Sequence, residues 1–447
     1  MNKLLDLCSD VIERAARAGA QAAECWGERL RQTAVHIEQN EVKGASISEH
    51  EGIGLRVFVD HRTGYAYANR LTDDAIDEAI TDAIAIARAS PGDPANVLAE
   101  KSLIRPIGGL FDAALAEMPA DECVRLAAEL VTEARKADKR VSIDNGSVGV
   151  GDGESALASS TGIRAWERDA AASWGLFGMA IDGDEVGSFD HIYQASRRRA
   201  DIDVNKLGAD FGQRVTALLG ARDGTSYRGK VLFSPEAFEE VFLDPLFEAI
   251  DGDAALRGRS RLAQKLGTRI AAPGFTLVDD GTVPGALSSS SFDREGTPHR
   301  RTVLVGDGVL HTFLYDVKTA HRAQRRPTGH ASGSARQMPH IQRTNVALQP
   351  GDASEEALLQ DLGSGLFVSR FSGDVDAVSG DFSGVAKGSF LVRRGKKVAP
   401  VKETLIAGNI FDALGRIVGI GDTPHVNMST SCPWILVDGI DVTAGGA

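Results

Sequence analysis

The chain has 447 residues, a formal net charge of −13, 43% hydrophobic and 25% charged residues. That is the composition of a globular protein, not of a disordered or fibrous one. The acidic balance argues against a nucleic-acid partner, because phosphate recognition needs concentrated Lys and Arg. With 49 glycines and only 6% aromatics, a turn-rich fold is favoured over a helical bundle.

The opening residues read as an amphipathic helix with Leu4, Leu5, Cys8, Val11, Ile12, Ala15 and Ala16 on one face. Charged residues interrupt it, so it lacks the apolar core of a signal peptide. Thr33 to Gln39 and Ile53 to Asp60 read as strands, and Gly64 turns the chain into Tyr65-Ala66-Tyr67. A second helix starts at Thr72, with Asp73 and Asp74 complementing its dipole and Ile76, Ile80 and Ile84 as its buried stripe. Pro91 and Gly92 end it, and a connector runs to Pro106. Asp121 to Ala137 is a third helix. From Val141 to about Asp201 the pattern predicts short strands between Gly-rich turns such as GSVGVGDG, followed by a helix to Leu219.

From Val231 onward the chain is mostly β-like. Hairpins are predicted around Gly306-Asp307-Gly308 and around Arg394-Gly395. Helical exceptions are Pro235 to Phe247, the stretch after Arg257, and Glu355 to Leu362. The expected fold is α+β. A mixed α/β N-terminal domain spans residues 1–222, divisible at 1–100 and 107–222, and a strand-rich, largely antiparallel, barrel- or sandwich-like domain spans 223–447. The four cysteines are too sparse for a disulfide scaffold. No apolar run approaches the ~18 residues a membrane span needs. The sequence therefore predicts a cytoplasmic protein without a membrane partner.

Several motifs are decoys. Gly224 to Lys230 is one residue short of a P-loop, since Val231 replaces the required Ser or Thr and a strand follows. The G-x-G pairs lack the third glycine of a dinucleotide site, and no nucleophile elbow or H-E-x-x-H is present. His299, His311, His321, His330 and His340 are close in sequence, but their spacing does not place two on one helical turn, so polar strand and loop histidines are the plainer reading. The paired acids Glu239-Glu240 and Asp251/Asp253 read most simply as surface acids on an acidic protein.

A set of stretches resembles the TldD/PmbA family, in its TldE (PmbA) branch. They are Gly52-Ile-Gly54-Leu-Arg56 with Gly64-Tyr65-Ala-Tyr67, then Tyr227 to Ala237 and Leu277-Val-Asp279-Asp280 through Pro284-Gly285. Asp293-Arg294-Glu295-Gly296, Thr328-Gly329, Thr344-Asn345, Gly380-Asp381-Phe382-Ser383 and Ile406 to Asn409 complete the set. The resemblance implies a two-subunit zinc peptidase that degrades or trims unstructured peptides and peptide-antibiotic precursors in a closed chamber. TldD-type chains of such a pair carry the motif H-E-x-x-x-H, whose histidines hold the metal and whose glutamate acts as general base. Counting back from Gly252-Asp253, the first histidine falls at Leu243, the glutamate at Asp244 and the second histidine at Glu248.

The resemblance therefore implies no catalytic or metal-binding residue at these positions, with zinc expected in a TldD-like partner and not in this chain. Cys432, near where TldD-type chains place a further ligand, reads as an apolar filler. The implied role is a TldE-like subunit of a metallopeptidase complex acting on unfolded or leader peptides, paired with a TldD-like chain or with a second copy. Arg343, Thr344 and Asn345 match a family strand near the substrate cleft and are the implied peptide contacts. Two alternatives are a self-sufficient hydrolase with metal held by the 299–340 histidines, and a homodimeric, non-catalytic peptide-binding protein.

Overall fold

The computed structural model describes residues 2–445. Its N-terminal half runs α1 (Lys3–Arg17), β1 (Ala22–Glu38), β2 (Glu41–Val59), β3 (Arg62–Ala68), α2 (Asp73–Ala89), α3 (Ala113–Ala116), α4 (Ala120–Ala137), β4 (Val141–Ser159), β5 (Arg164–Asp182), β6 (Glu185–Val186), β7 (Asp190–Ser196) and α5 (Val204–Thr216). The strands form one antiparallel sheet in the order β3-β2-β1-β4-β5-β6, with β7 also paired to β5. Two helix pairs cover it. Odd-numbered residues of β1 enter both of the resulting cores: Ala23 and Cys25 meet α1 and α2, while Val35 and Ile37 meet α4 and α5. The period-2 alternation of a strand places these residues on one face.

The strands are longer than the sequence suggests. GSVGVGDG lies inside the 19-residue β4 rather than in turns. Its glycines serve close packing within the sheet: a Cβ on Gly146 would meet Gly175 O at 2.6 Å, and one on Gly178 of β5 would meet Ser142 O at 2.3 Å. Thr72 does stand at the N-cap of α2, although its side chain makes no capping bond.

The C-terminal half begins with β8 (Arg222–Asp223) and β9 (Tyr227–Phe233), followed by α6 (Pro235–Phe238), a π-helical turn at Glu239–Leu243, and α7 (Asp244–Ala249). Here β9 lies at the centre of a ten-stranded mixed sheet, parallel to Gly365–Val368 and antiparallel to Ile435–Thr443. A six-stranded sheet includes Arg301–Gly306, Leu277–Asp280, Val346–Leu348, Thr430–Cys432 and, at one end, His425–Asn427. Both strand orders are open paths, so neither sheet closes into the barrel that the sequence left open. The two sheets share one core with the 235–249 helix, where Phe233, Phe238, Phe242, Phe275 and Phe382 pack against one another. The predicted hairpins and the helix Glu355–Leu362 are present. The helix expected after Arg257 is not, because Gly258, Gly267 and Gly274 adopt positive φ and break the segment into turns.

The halves meet on the even-numbered face of β1. Register places Glu24 opposite Arg56 and Trp26 opposite Gly54, with Arg56 in turn opposite Tyr65. Asp293-Arg294-Glu295-Gly296 packs onto this row. The Arg56 guanidinium lies 2.9 Å from Glu24 and 2.7 Å from Glu295, all three buried. Arg294 stacks 4.8 Å over Trp26 and donates to the Tyr65 hydroxyl at 3.3 Å. Tyr65 donates to Ala335 O at 2.6 Å, and Ala335 N donates to Glu28 at 2.9 Å. Gly54 leaves room for this grip, since a Cβ there would fall 2.1 Å from the Tyr65 oxygen and 2.5 Å from Ala335 O.

Removing one partner from a buried ion pair leaves an uncompensated charge, a loss of about 3–5 kcal/mol. Arg56→Leu, which strands Glu24 and Glu295 together, is therefore expected to lower stability by that order. Denaturant midpoints at neutral pH check it, and a variant as stable as the parent would contradict the assigned role.

Candidate functional site

The 235–249 helix carries the three positions that the resemblance aligns with a zinc motif, and its geometry departs from a regular helix. Pro245 has no N–H, so Val241 O lacks its i+4 donor, and the ring crowds the turn before it. The chain responds with a π turn in which Asp244 N–H donates to Glu239 O, five residues back. Residues five apart on an α-helix differ by about 140° around the axis. The wider turn brings Glu239 and Asp244 onto a common side, where both meet Arg343.

Arg343 donates to Asp244 Oδ1 at 2.6 Å and to Glu239 Oε1 at 2.9 Å, and its guanidinium lies 5.1 Å over the Phe247 ring. Thr430 donates to the same Glu239 oxygen at 2.6 Å. Burial raises the Glu239 carboxyl while Thr430 and Arg343 pull it back. Leu243 is fully buried in the core and Glu248 is exposed, so these two positions point into different surroundings. Leu243 offers no donor atom and Asp244 is engaged by Arg343, so the residues at the aligned positions do not fit a zinc ion.

Of the three sequence-predicted contacts, Arg343 borders open space. With Phe247, Glu248 and Ile341 it lines a cavity of ≈ 350 Å³. It also lines a neighbouring one of ≈ 320 Å³, bounded by Ser288, His299, His330 and Thr344. Thr344 and Asn345 are buried. Thr344 N donates to Asp279 Oδ2 at 2.7 Å and its hydroxyl to Asp279 Oδ1. Asn345 accepts from Ser288 N at 3.0 Å and donates to Asp280 O and Ser289 Oγ at 2.8 and 2.9 Å. They hold the segment that presents Arg343.

Of the clustered histidines, two come together. His330 lies 3.0 Å from Asp279, and burial with the nearby His330 charge lowers His299 to about 4. His311, His321 and His340 are exposed. Among the described residues no three His, Cys, Asp or Glu side chains are grouped as a metal would require. All four cysteines are buried and unpaired, and burial holds the Cys432 thiol far above its usual range.

Sequence reasoning gives no site role to Phe247, Asp279 or Thr430, reads Glu239-Glu240 as surface acids, and counts His330 only among the histidines of the alternative metal reading. Glu239-Glu240 is not a surface pair. Glu239 is clamped, and Glu240 accepts from Phe371 N at 2.6 Å, with burial pushing its carboxyl up to about 7. The usable signal was Pro245 one helical turn past the acids, which marks a distorted helix.

Family models for PmbA/TldA metallopeptidases match the chain three times: domain 1 at residues 23–87, the central domain at 114–219 and the C-terminal domain at 226–444. Metalloprotease PmbA of Escherichia coli O157:H7 is 28% identical over 443 residues, covering 97% of this chain and 95% of that one. A metalloprotease of Methanothermobacter thermautotrophicus is 31% identical over 311 residues, 68% of each chain. The crystal structure of TldE from Thermococcus kodakarensis superimposes with a TM-score of 0.90 at 24% identity, over 98% of this chain and all of that one. The family models place the chain among PmbA/TldA metallopeptidase relatives, and its 235–249 helix carries an arginine clamp on Glu239 and Asp244. The chain belongs to the TldD/PmbA family.

Glu240 gives a pH signature. Its folded-state pKa of about 7 lies above the ordinary glutamate value, so the folded protein resists its ionisation. The stability it contributes is complete below the unfolded pKa and is lost as pH rises through about 7. Glu240→Gln keeps an acceptor for Phe371 N and removes that loss. After discounting for partial exposure, the variant is expected to match the parent at about pH 4 and to exceed it by about 1–2 kcal/mol at about pH 8. Chemical denaturation at the two pH values reads the difference.

Proposed function

We propose that this chain is the TldE-like subunit of a TldD/TldE-type zinc metallopeptidase complex that acts on unfolded or leader peptides. In this reading the zinc sits in a TldD-like partner, and the present chain completes the enclosed cleft. The observation that carries it is the Arg343 clamp on Glu239 and Asp244. A guanidinium is a permanent cation with fixed hydrogen-bonding directions, able to hold a peptide carbonyl or carboxylate. Unlike a bound metal, it has no coordination site at which to activate water.

Arg343 is the peptide contact in this arrangement, and Thr344 and Asn345 keep it in place through Asp279, Asp280 and Ser288. Four unpaired thiols suit the reducing cytoplasm. Among the described residues no helix is long and apolar enough to cross a membrane.

Co-purification with a TldD-like chain carrying H-E-x-x-x-H tests the reading. A stable pair is expected, with zinc in the partner by elemental analysis and cleavage of an unfolded peptide only when both chains are present. Arg343→Ala is expected to raise the KM of the pair several-fold with little change in kcat. Full-rate cleavage by this chain alone, stripped of metal, would overturn the proposal, as would a stable dimer of one chain type that ignores every TldD-like partner.

A further inference from the structure

The acidic residues of this chain are unevenly spread. Its 62 Asp and Glu outnumber its 49 Lys and Arg, yet residues 317–351 contain no acid and six bases, Lys318, Arg322, Arg325, Arg326, Arg336 and Arg343. A second acid-free stretch, 296–306, carries Arg300 and Arg301. Protein surfaces ordinarily intersperse the two signs, so a long one-signed stretch in an acidic chain creates a local field opposite to that of the whole.

The fold brings the two stretches together beside the Arg343 cavities. A Cβ on Gly329 would meet Pro298 O at 2.8 Å, and Arg300 Nη2 donates to Pro327 O at 2.6 Å. His299 and His330 flank this contact and line the ≈ 320 Å³ cavity together with Arg343. Arg300 therefore leaves the cavity wall directly after His299, and Arg325 and Arg326 stand just ahead of His330.

The cations of this rim are not answered by carboxylates. Arg300, Arg325 and Arg326 are exposed, and among the described residues none of them forms an ion pair. Burial lowers the Arg300 guanidinium from the ordinary arginine value; Asp293 opposes this, and the like charge of Arg326 adds to it. Asp293 is itself occupied, accepting from Glu295 N, Thr297 N and Ala331 N. Asp280, opposite Arg301 in the strand register, accepts from Thr282 N and its hydroxyl. Next along the chain, Lys318 and Arg322 share a single carboxylate, Asp93.

We infer that this rim selects, among unfolded peptides, those rich in Asp and Glu, pairing their carboxylates with Arg300, Arg325 and Arg326 as the backbone runs on into the Arg343 cavities. The inference rests on the function proposed above for its ligand class and adds a sequence preference to it. A guanidinium offers a carboxylate two parallel hydrogen bonds, and several such pairs are needed because each exposed one contributes little. The net charge of −13 repels an acidic ligand from the surface at large, which favours its arrival at a cationic rim.

The test is a fluorescence-anisotropy titration of the full chain against three labelled, disordered decapeptides that differ only at four positions, filled with Glu, Gln or Lys. At about 0.05 M salt the Glu probe is expected to bind at least about tenfold more tightly than the Gln probe, with the Lys probe weakest. At about 0.5 M salt the ratio should fall below about threefold, because exposed pairs are screened. Arg325→Glu combined with Arg326→Glu should bring the Glu probe to the affinity of the Gln probe or below. Arg326→Lys keeps the charge and should stay within about threefold of the parent. Both positions are exposed, so the variants should keep the parental circular dichroism and thermal midpoint. Arg343→Ala should weaken the Glu and Gln probes alike and leave their ratio intact. Equal affinity for Glu and Gln probes, a preference that survives the double reversal, or no saturable binding would overturn the inference. So would a single-stranded oligonucleotide of the same charge that binds as tightly as the Glu probe and loses affinity with the same reversal, since the rim would then be a general polyanion surface. The function proposed above fails separately, by the absence of any co-purifying TldD-like chain, and a Glu-over-Gln preference of the isolated chain stands without it.

Discussion

The placement of every other feature depends on a buried row of charge where the two halves of the chain meet. Glu24, Arg56 and Glu295 are nearly inaccessible, and Arg294 closes the row over Trp26. Charges taken out of water are tolerated only in pairs with good geometry, so the row admits one way of docking the 293–297 turn on the sheet. Burial pushes the Glu295 carboxyl up even with Arg56 opposing it. The same face grips Ala335, at the turn between two short paired strands, Ala331–Ser332 and His340–Ile341. The second of those strands leads directly into Arg343. A contact on the N-terminal sheet thereby sets the approach of a side chain in the C-terminal half.

What Arg343 meets there is set by backbone geometry. Proline in a helix usually bends it, and here the strain is taken up as one widened turn. The widening aligns two carboxylates on the helix with one guanidinium and leaves Leu243 pointing into the core. The helix thus keeps its place in the shared core of the two sheets. Its polar side is organised around Arg343.

Helices with a periodic apolar stripe and clear end signals were legible in the sequence. α2 is bounded by acids and Pro91, and Glu355–Leu362 is capped by Ser354, whose side chain accepts from Ala357 N. Glycine was the main source of error because it has two opposite uses. In GSVGVGDG it marks the close approach of neighbouring strands, whereas after Arg257 it breaks the chain into turns. Composition alone does not distinguish these. That Leu243 offers no ligating atom follows from its residue type alone. The clamp was not legible, since Arg343 lies 99 and 104 residues from its two acids and reaches both only through a π turn. Tyr65 and Tyr67 were recognisable as part of a pattern, but their purpose appears only when the other half of the chain lies against them.

The four thiols fall in different parts of this architecture. Cys8 and Cys25 belong to the core under α1 and α2, Cys123 to the core under α4 and α5, and Cys432 to the large core of the C-terminal half. None is bonded and none reaches solvent. The native chain therefore carries a built-in reporter in each of three of its cores. Each stays silent toward alkylating reagents until its own core opens, so the order in which the cysteines become labelled traces the order in which the cores come apart.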